Sequence, residues 1–309
     1  MKIRQFHVLF TVFILFLLSS AFLIWIFPPS GEARHKRQSP PLELDFGVDG
    51  ISLISQGTGE LYEHQYAPFN EKRSYAIKLQ QITKYVENGD THSVRTTIKA
   101  NARIQVEPKR SDRVFLSFDS FEIHVYKDDV EVDLVSVESL MAGIVLEQSF
   151  GEQMGMGRAE PLVRINPQVG RVLFLLSDMM RIIWSPLASE AVGAKAAWEF
   201  YDKSHEEKLC INASARSDVL DVDADKLELE HHYIVQRDKC TQRAKRRKMR
   251  AFDVAGEGQA RATVRIHKGV VQSAAGETRY SNFIYLGDQK ESRAKQELNA
   301  VYSLELIVQ

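Results

Sequence analysis

Two rhythms of hydrophobic and polar residues divide the chain. From Phe6 to Phe27 the residues are apolar almost without interruption: only His7, Thr11, Ser19 and Ser20 break the run, and no Asp, Glu, Lys or Arg falls within it. About twenty such residues span the hydrocarbon core of a bilayer as a helix. Past residue 41 the rhythm becomes period-two. Tyr75 to Ile82 alternates, Asn88-Gly89-Asp90 supplies a turn signal, and Val94 to Val106 resumes with Thr96, Ile98, Ala100, Ala102, Ile104 and Val106 on one face. This predicts a long hairpin. Val114 to Tyr126 predicts the next strand, but Val114, Leu116 and Phe118 share one parity while Phe121, Ile123 and Val125 share the other. A change of parity at Asp119-Ser120 implies a bulge or a break.

The middle of the chain changes period again. Over Arg171 to Trp184, Leu173, Leu176, Met180 and Ile183 fall on one helical stripe, with Arg171, Asp178 and Arg181 opposite. That spacing predicts an amphipathic helix stopped before Ser185-Pro186. Residues 136–150 fit a helix or a strand equally well. Strand patterns then return at Ala196–Tyr201, Leu209–Ala215, Leu227–Val235, Ala260–His267, Thr278–Gly287 and Val301–Val308. In the third of these, Leu227, Leu229, His231 and Tyr233 alternate with Glu228, Glu230, His232 and Ile234, so one face is wet.

The expected architecture is therefore mainly β (α+β): antiparallel strands in one or two curved sheets or half-barrels, with one amphipathic helix, preceded by a single N-terminal transmembrane helix. Residues 1–27 form the anchor or signal segment, 28–41 a proline-punctuated basic linker, and 42–309 the β-rich domain. Its strands fall into groups at about 45–165 and 190–309, with the helix of 171–184 between them. Both groups open on a glycine followed by an aromatic strand, Gly59-Glu60-Leu61-Tyr62 and Gly193 to Trp198, a faint sign of duplication.

Directly after the helix, Val192, Gly193, Ala196 and Trp198 form a Val-Gly-x-x-Ala-x-Trp pattern, with Ala191 and Lys195 at the intervening positions. It resembles a group of uncharacterised bacterial extracytoplasmic β-rich proteins, in which a helix leads into a Pro-Val-Gly stretch and a Trp-bearing strand. Ala191 stands where those proteins usually have Pro, and Lys195 where they usually have Gly. The resemblance implies an exported β-domain and carries no catalytic residues with it.

Charge sharpens the class. Residues 40–309 hold 35 basic and 40 acidic side chains, yet residues 237–250 hold eight basic groups against the single acid Asp238. The rest of the domain is thus strongly acidic, which argues against a nucleic-acid binder, because such a protein needs a broad basic face. The basic run itself, Arg243, Lys245, Arg246, Arg247, Lys248 and Arg250, is read first as a solvated loop. A second reading is contact with anionic lipid head groups next to an anchored membrane surface, and a third is nucleic-acid or nuclear-targeting use, against which the membrane segment counts.

The N-terminal segment has a rival reading as a cleaved signal, since Ser19 and Ala21 satisfy the small-residue rule for a cut after Ala21. Such a cut would leave Phe22 to Phe27 as an apolar mature terminus, which favours an uncleaved anchor with Trp25 at the interface. A short tail before the anchor usually stays inside, which places the domain outside the cytoplasm. Cys210 and Cys240, the only cysteines, fit an oxidising space, where a disulfide between them would stabilise by about 3 kcal/mol. The alternative is two unrelated buried thiols.

No motif for catalysis, metal or nucleotide is complete. Asp221, Asp223 and Asp225 open like a calcium loop, but the sixth position is Lys226 and the twelfth His232. His231 and His232 would point to opposite faces of a strand, His205-Glu206-Glu207 lacks a second His, and Gly151 to Gly157 is not followed by Lys-Ser or Lys-Thr. His64, His92, His124 and His267 have no motif around them. No cofactor is expected. The resulting expectation is a membrane-anchored envelope protein, non-enzymatic, binding a lipid, another apolar ligand or an envelope partner. The alternatives are an extracytoplasmic hydrolase with scattered catalytic residues and a structural interaction module.

Overall fold

The computed structural model describes residues 48–87, 90–107, 110–132, 138, 140–141, 143–161, 167–206, 209–239, 252–286 and 292–307. The apolar run of residues 6–27 lies outside them. Among the described residues no helix is long and apolar enough to cross a membrane.

The period-two segments all form strands, and they are longer than the sequence pattern indicates. In chain order they are β1 (Val48–Ser55), β2 (Thr58–Tyr62), β3 (Arg73–Glu87), β4 (Asp90–Glu107), β5 (Arg110–Lys127), β6 (Val130–Val132), β7 (Val145–Gly151) and β8 (Gly155–Pro161). The helix α1 (Pro167–Ile183) follows. After it come β9 (Val192–Ala194), β10 (Ala197–Glu206), β11 (Leu209–Val222), β12 (Lys226–Lys239), β13 (Phe252–His267), β14 (Val270–Leu286) and β15 (Ser292–Leu306). Residues 136–150 divide between the two: Glu138, Leu140 and Met141 are helical, and a strand begins at Val145.

The two strand groups merge into one antiparallel sheet of 13 strands in the order β1-β10-β11-β12-β13-β14-β15-β3-β4-β5-β7-β8, with β6 beside β5. β15 closes the gap between the halves by pairing with β3, and β1 returns to pair with β10. Among the described residues the path has two free edges, β1 and β8, so the sheet is a wrap and not a closed barrel. A separate small sheet pairs β2 with β9.

Parity decides which face is covered. On β4, Ile98, Ala100, Ala102 and Ile104 are buried, as are Leu227, Leu229, His231, Tyr233 and Val235 on β12. The parity change on β5 is a bulge: Asn101 pairs with Ser120 and Ala102 with Phe118, which leaves Asp119 as the extra residue. It returns Phe121, Ile123 and Val125 to the face already occupied by Val114, Leu116 and Phe118, and all six are buried.

α1 lies against this face, packed on β8 and β13. The expected stripe of Leu173, Leu176, Met180 and Ile183 is fully buried, but so are Ser177, Met179 and Ile182. The buried arc is wider than one stripe because the helix is enclosed by a curved sheet instead of lying on its outside.

One end of the wrap is closed. The chain leaves α1 at Trp184 and crosses the interior through Ser185, Pro186 and Leu187, all buried. Trp184 carbonyl accepts from Met156 N (2.9 Å), and Leu187 N donates to the Gln153 carbonyl (2.8 Å). Tyr66 N donates to the Glu152 carbonyl and Ala67 N to the Gly269 carbonyl. Tyr66, Phe69, Phe150, Trp184 and Tyr75 stack edge to face or tilted above the crossing. Gly155 and Gly269, at φ of 71° and 74°, supply the left-handed turns that let these backbones approach.

Candidate functional site

The strand register sorts the inner face into rows that run across the sheet. Toward the closed end, Val219, Leu229, Val264, Ala274, Leu304, Ile77, Ala100 and Phe121 stand side by side. Above them come Ser217, His231, Ala262, Gly276, Tyr302, Leu79, Ile98 and Ile123, in the same strand order. Two rows further along, Gly258, Tyr280, Leu298, Thr83, Val94 and Lys127 align, and beyond them Gln296, Tyr85 and His92. The wall is therefore apolar toward the closed end and mixed at the far end, where the row of Gln296, Tyr85 and His92 is followed by the register positions of Val254, Ile284 and Ala294.

Small residues dominate the middle of this wall. Ala213, Ala215, Ala260, Ala262, Ala274 and Ala300 face inward on β11, β13, β14 and β15. Twelve strands in line make a surface about 55 Å wide, against which one helix of 17 residues is about 26 Å long and 10 Å across. A single helix covers a minor part of such a face, so the remaining apolar wall must be covered by the wrap itself, by other segments or by a guest.

Among the described residues, polar clusters interrupt the apolar interior. Ser185 Oγ donates to the Ile182 carbonyl (2.6 Å) and accepts from Tyr233 OH (2.5 Å), while Tyr66 OH donates to the Ser185 carbonyl (2.8 Å). Burial pushes the Tyr66 phenol well above its usual range, so it remains a donor. Gln148 Nε2 donates to the Gly157 carbonyl and to Ser177 Oγ, tying α1 to β7 and β8. The third cluster is Ser217 Oγ with His231 Nδ1 at 2.8 Å, both completely buried. Burial, reinforced by His232 next to it, lowers the His231 pKa to about 3, so the imidazole is neutral.

A Ser beside a His invites comparison with a hydrolytic centre. Here the second ring nitrogen, Nε2, has no carboxylate or other protein partner, and an imidazole with so low a pKa is a poor base for a serine hydroxyl. The pair lacks the third member that orients and stabilises an imidazolium in such a site. The parity that puts His231 among Leu227, Leu229 and Tyr233 was readable from the sequence. Its pairing with Ser217 was not, because it depends on the register of two strands.

Val192, Gly193, Ala196 and Trp198 come together as a structural joint. Val192, Ala196 and Trp198 are buried, Gly193 packs against the Thr58 carbonyl, where a Cβ would come within 2.6 Å, and Trp198 Nε1 donates to the Pro186 carbonyl at 2.9 Å. Lys195, at the position where the resembled pattern has Gly, holds a left-handed φ of 62°. Cys210 lies on β11 opposite Asp238, whereas Cys240 lies outside the described residues. So do Arg243, Lys245, Arg246, Arg247, Lys248 and Arg250, in the connection from Lys239 of β12 to Phe252 of β13.

The remaining candidates have ordinary roles. Asp223 Oδ1 accepts from the backbone N of Asp225 and of Lys226 as a turn, and Asp221 pairs with Lys226. His232 is on the outer face with Glu230, His92 is with Asp128, and His124 with Glu131. Gly151 and Gly155 flank the turn from β7 to β8. Among the described residues, no group of three or more His, Cys, Asp or Glu side chains is placed to hold a metal.

No protein-family model matches the sequence, and neither does any curated protein. Among solved structures, a lipovitellin structure concerned with lipid–protein interactions aligns with 79% of the chain at 9% identity and a TM-score of 0.46. The chain spans 25% of that lipovitellin chain. An outer membrane channel from Pseudomonas putida F1 aligns with 79% of this chain and 98% of its own, at 8% identity and a TM-score of 0.22. Pseudomonas aeruginosa OccK2 aligns over 79% of this chain and all of its own, at 6% identity and the same TM-score.

Proposed function

We propose that the chain is a membrane-anchored envelope protein whose wrapped sheet binds a lipid or another apolar ligand without transforming it. The observation that carries this reading is the grading of the inner wall. Its rows are apolar over Val264, Leu304, Ile77 and Phe121 near the closed end and become mixed toward the far end, where Lys127, His92 and Gln296 join apolar positions such as Leu298, Val254 and Ile284. Such a wall suits an amphiphile with its chains toward the closed end and its head group at the far end.

Connectivity supports the same direction of entry. The chain enters β1 at Val48, beside Asp202 near the end of β10, so the N-terminal segment joins the sheet at its far end. The connection that carries the basic run leaves and re-enters at that end too. In this reading residues 6–27 anchor the protein, the domain is extracytoplasmic, the basic run meets anionic head groups, and Cys210 and Cys240 are oxidised to a disulfide.

Mass spectrometry of the detergent-extracted full-length chain tests it. A lipid present at stoichiometric level is the expected result. A preparation that is free of lipid, and that also fails to bind the fluorescent hydrocarbon diphenylhexatriene, would overturn the reading.

A further inference from the structure

The joint of Val192, Gly193, Ala196 and Trp198 also has an outer side. Three large apolar side chains stand about half exposed around it: Ile54 at 49%, Leu61 at 42% and Leu220 at 51%. A chain of contacts links them. The Leu61 side chain lies over Gly193, where a Cβ would come within 3.1 Å of its Cδ2. The Gly193 carbonyl accepts from Ala196 N, and the Ala196 carbonyl accepts from Val219 N, next to Leu220. Ile54 adjoins Ser55, which pairs with Ala197, and Ala197 pairs in turn with Asp218.

Apolar residues exposed one at a time are ordinary on any surface. Here backbone irregularity supplies two of the three. Ile54 is the extra residue of a bulge on β1, and Leu220 the extra residue of a bulge on β11. A bulge aims a side chain independently of the strand's alternation, and both are aimed at solvent.

Carboxylates surround the three. Glu60, Glu63 and Glu190 lie in or beside the pairing of β2 with β9, Asp223 lies in the β11–β12 turn, and all four are exposed. Asp218, Asp221 and Asp225 are balanced by Arg216, Lys226 and Lys268. Among the described residues no ion pair engages the first four acids, and the exposed base next to β9 is Lys195. Tyr62 feels the resulting field: its hydrogen bond to Glu60, with the charges of Glu60 and Asp223, raises the phenol above its usual range. Burial lowers the His64 pKa, and Asp223 opposes that shift. The β11–β12 turn therefore sits beside β2, and the apolar residues share one acidic surround.

We propose that this surface docks a basic amphipathic helix of a partner protein, with the apolar stripe of the helix on Ile54, Leu61 and Leu220 and its Lys or Arg side chains on the surrounding carboxylates. An anionic membrane surface is repelled by the same carboxylates. Three side chains make a small anchor, suited to a transient contact. The proposal goes beyond lipid binding and does not depend on it, because the surface lies on the outside of the wrap.

The test uses the detergent-extracted full-length chain and two synthetic amphipathic helices, one of leucine and lysine and one of leucine and glutamate, read by hydrogen–deuterium exchange. The leucine–lysine peptide is expected to slow exchange at residues 53–62 and 217–223, and the leucine–glutamate peptide to leave it unchanged. Ile54→Ser combined with Leu220→Ser alters half-exposed side chains and keeps the fold. It is expected to raise the concentration needed for half-maximal protection about ten-fold. Val301→Ser, at a half-exposed apolar position on β15, is expected to have no effect. The proposal is overturned if the leucine–lysine peptide does not protect these residues, if the leucine–glutamate peptide protects them equally, or if the double variant responds as the unaltered chain does. If the unaltered chain sediments as a dimer that the double variant separates, a second copy covers the surface and the proposal falls.

Discussion

Gly276 and Tyr302 face one another across β14 and β15, and the phenol occupies the space that any side chain at position 276 would need. The same device recurs one strand over, where Gly258 lies opposite Tyr280 and under its ring. An aromatic residue laid over a strand glycine restores the packing that the glycine gives up. Gly276→Ala is therefore expected to destabilise by about 1–3 kcal/mol, through overpacking. Adding Tyr302→Phe does not restore it, because the Arg261 carbonyl remains in the way. Urea midpoints of the three variants check both statements.

His231 makes stability depend on acid. Its folded pKa is about 3, well below the 6.5 or so of an unfolded histidine, so below about pH 6.5 the unfolded chain takes up a proton that the folded chain refuses. The contribution is complete above that point and declines by about 1.4 kcal/mol per pH unit as the pH falls toward 3. Denaturation between about pH 7 and pH 4.5 should show this decline, and His231→Leu should remove its share. A stability that does not vary across that window would mean that the imidazole is not held neutral.

The bulge on β5 is a matter of count, not of chemistry. Deleting Asp119 would join Phe118 to Ser120, which already oppose the consecutive residues Ala102 and Asn101, so the strand would alternate without interruption and Phe121, Ile123 and Val125 would stay on the face of Val114, Leu116 and Phe118. The deletion is therefore expected to keep the fold. Asp119→Ala keeps the count and removes only a half-exposed ion pair with Arg103; it is expected to cost less than about 1 kcal/mol. Circular dichroism and expression of the soluble fraction check both variants, and loss of the fold on deletion of Asp119 would contradict the register.

The closed end depends on hydrogen bonds to a single crossing segment. Tyr66→Phe leaves the Ser185 carbonyl without its donor inside the protein, at a cost of about 1–3 kcal/mol. Because Tyr233 still donates to Ser185 Oγ, Tyr233→Phe should add to the loss instead of duplicating it. Thermal melting of the single and double variants measures the sum.

What the sequence made legible was local. The inward face of β4, the bulge at Asp119 and the helical stripe of α1 each follow from side-chain period over a dozen residues, and the structure bears them out. Strand ends were less visible: β13 begins at Phe252, eight residues before its pattern becomes regular, because Gly256 and Gly258 read as loop until Tyr280 is known to lie across the second of them. β8 was hidden by Gly155-Met156-Gly157 in the same way. The pairing of β15 with β3 and of β1 with β10 joins residues more than a hundred positions apart, and no local period encodes it. The candidate site depends on that order. His231 and Tyr302 share a row only because four strands between them and including them are in register.

A barrel sewn shut has its girth set by the number and stagger of its staves. This sheet is not sewn: β1 and β8 carry no ladder between them, so the roll can loosen or tighten by small changes of twist spread over twelve strands while every backbone bond within it survives. On the proposed lipid-binding reading, guests of different bulk would share one fold without any strand having to part from its neighbour.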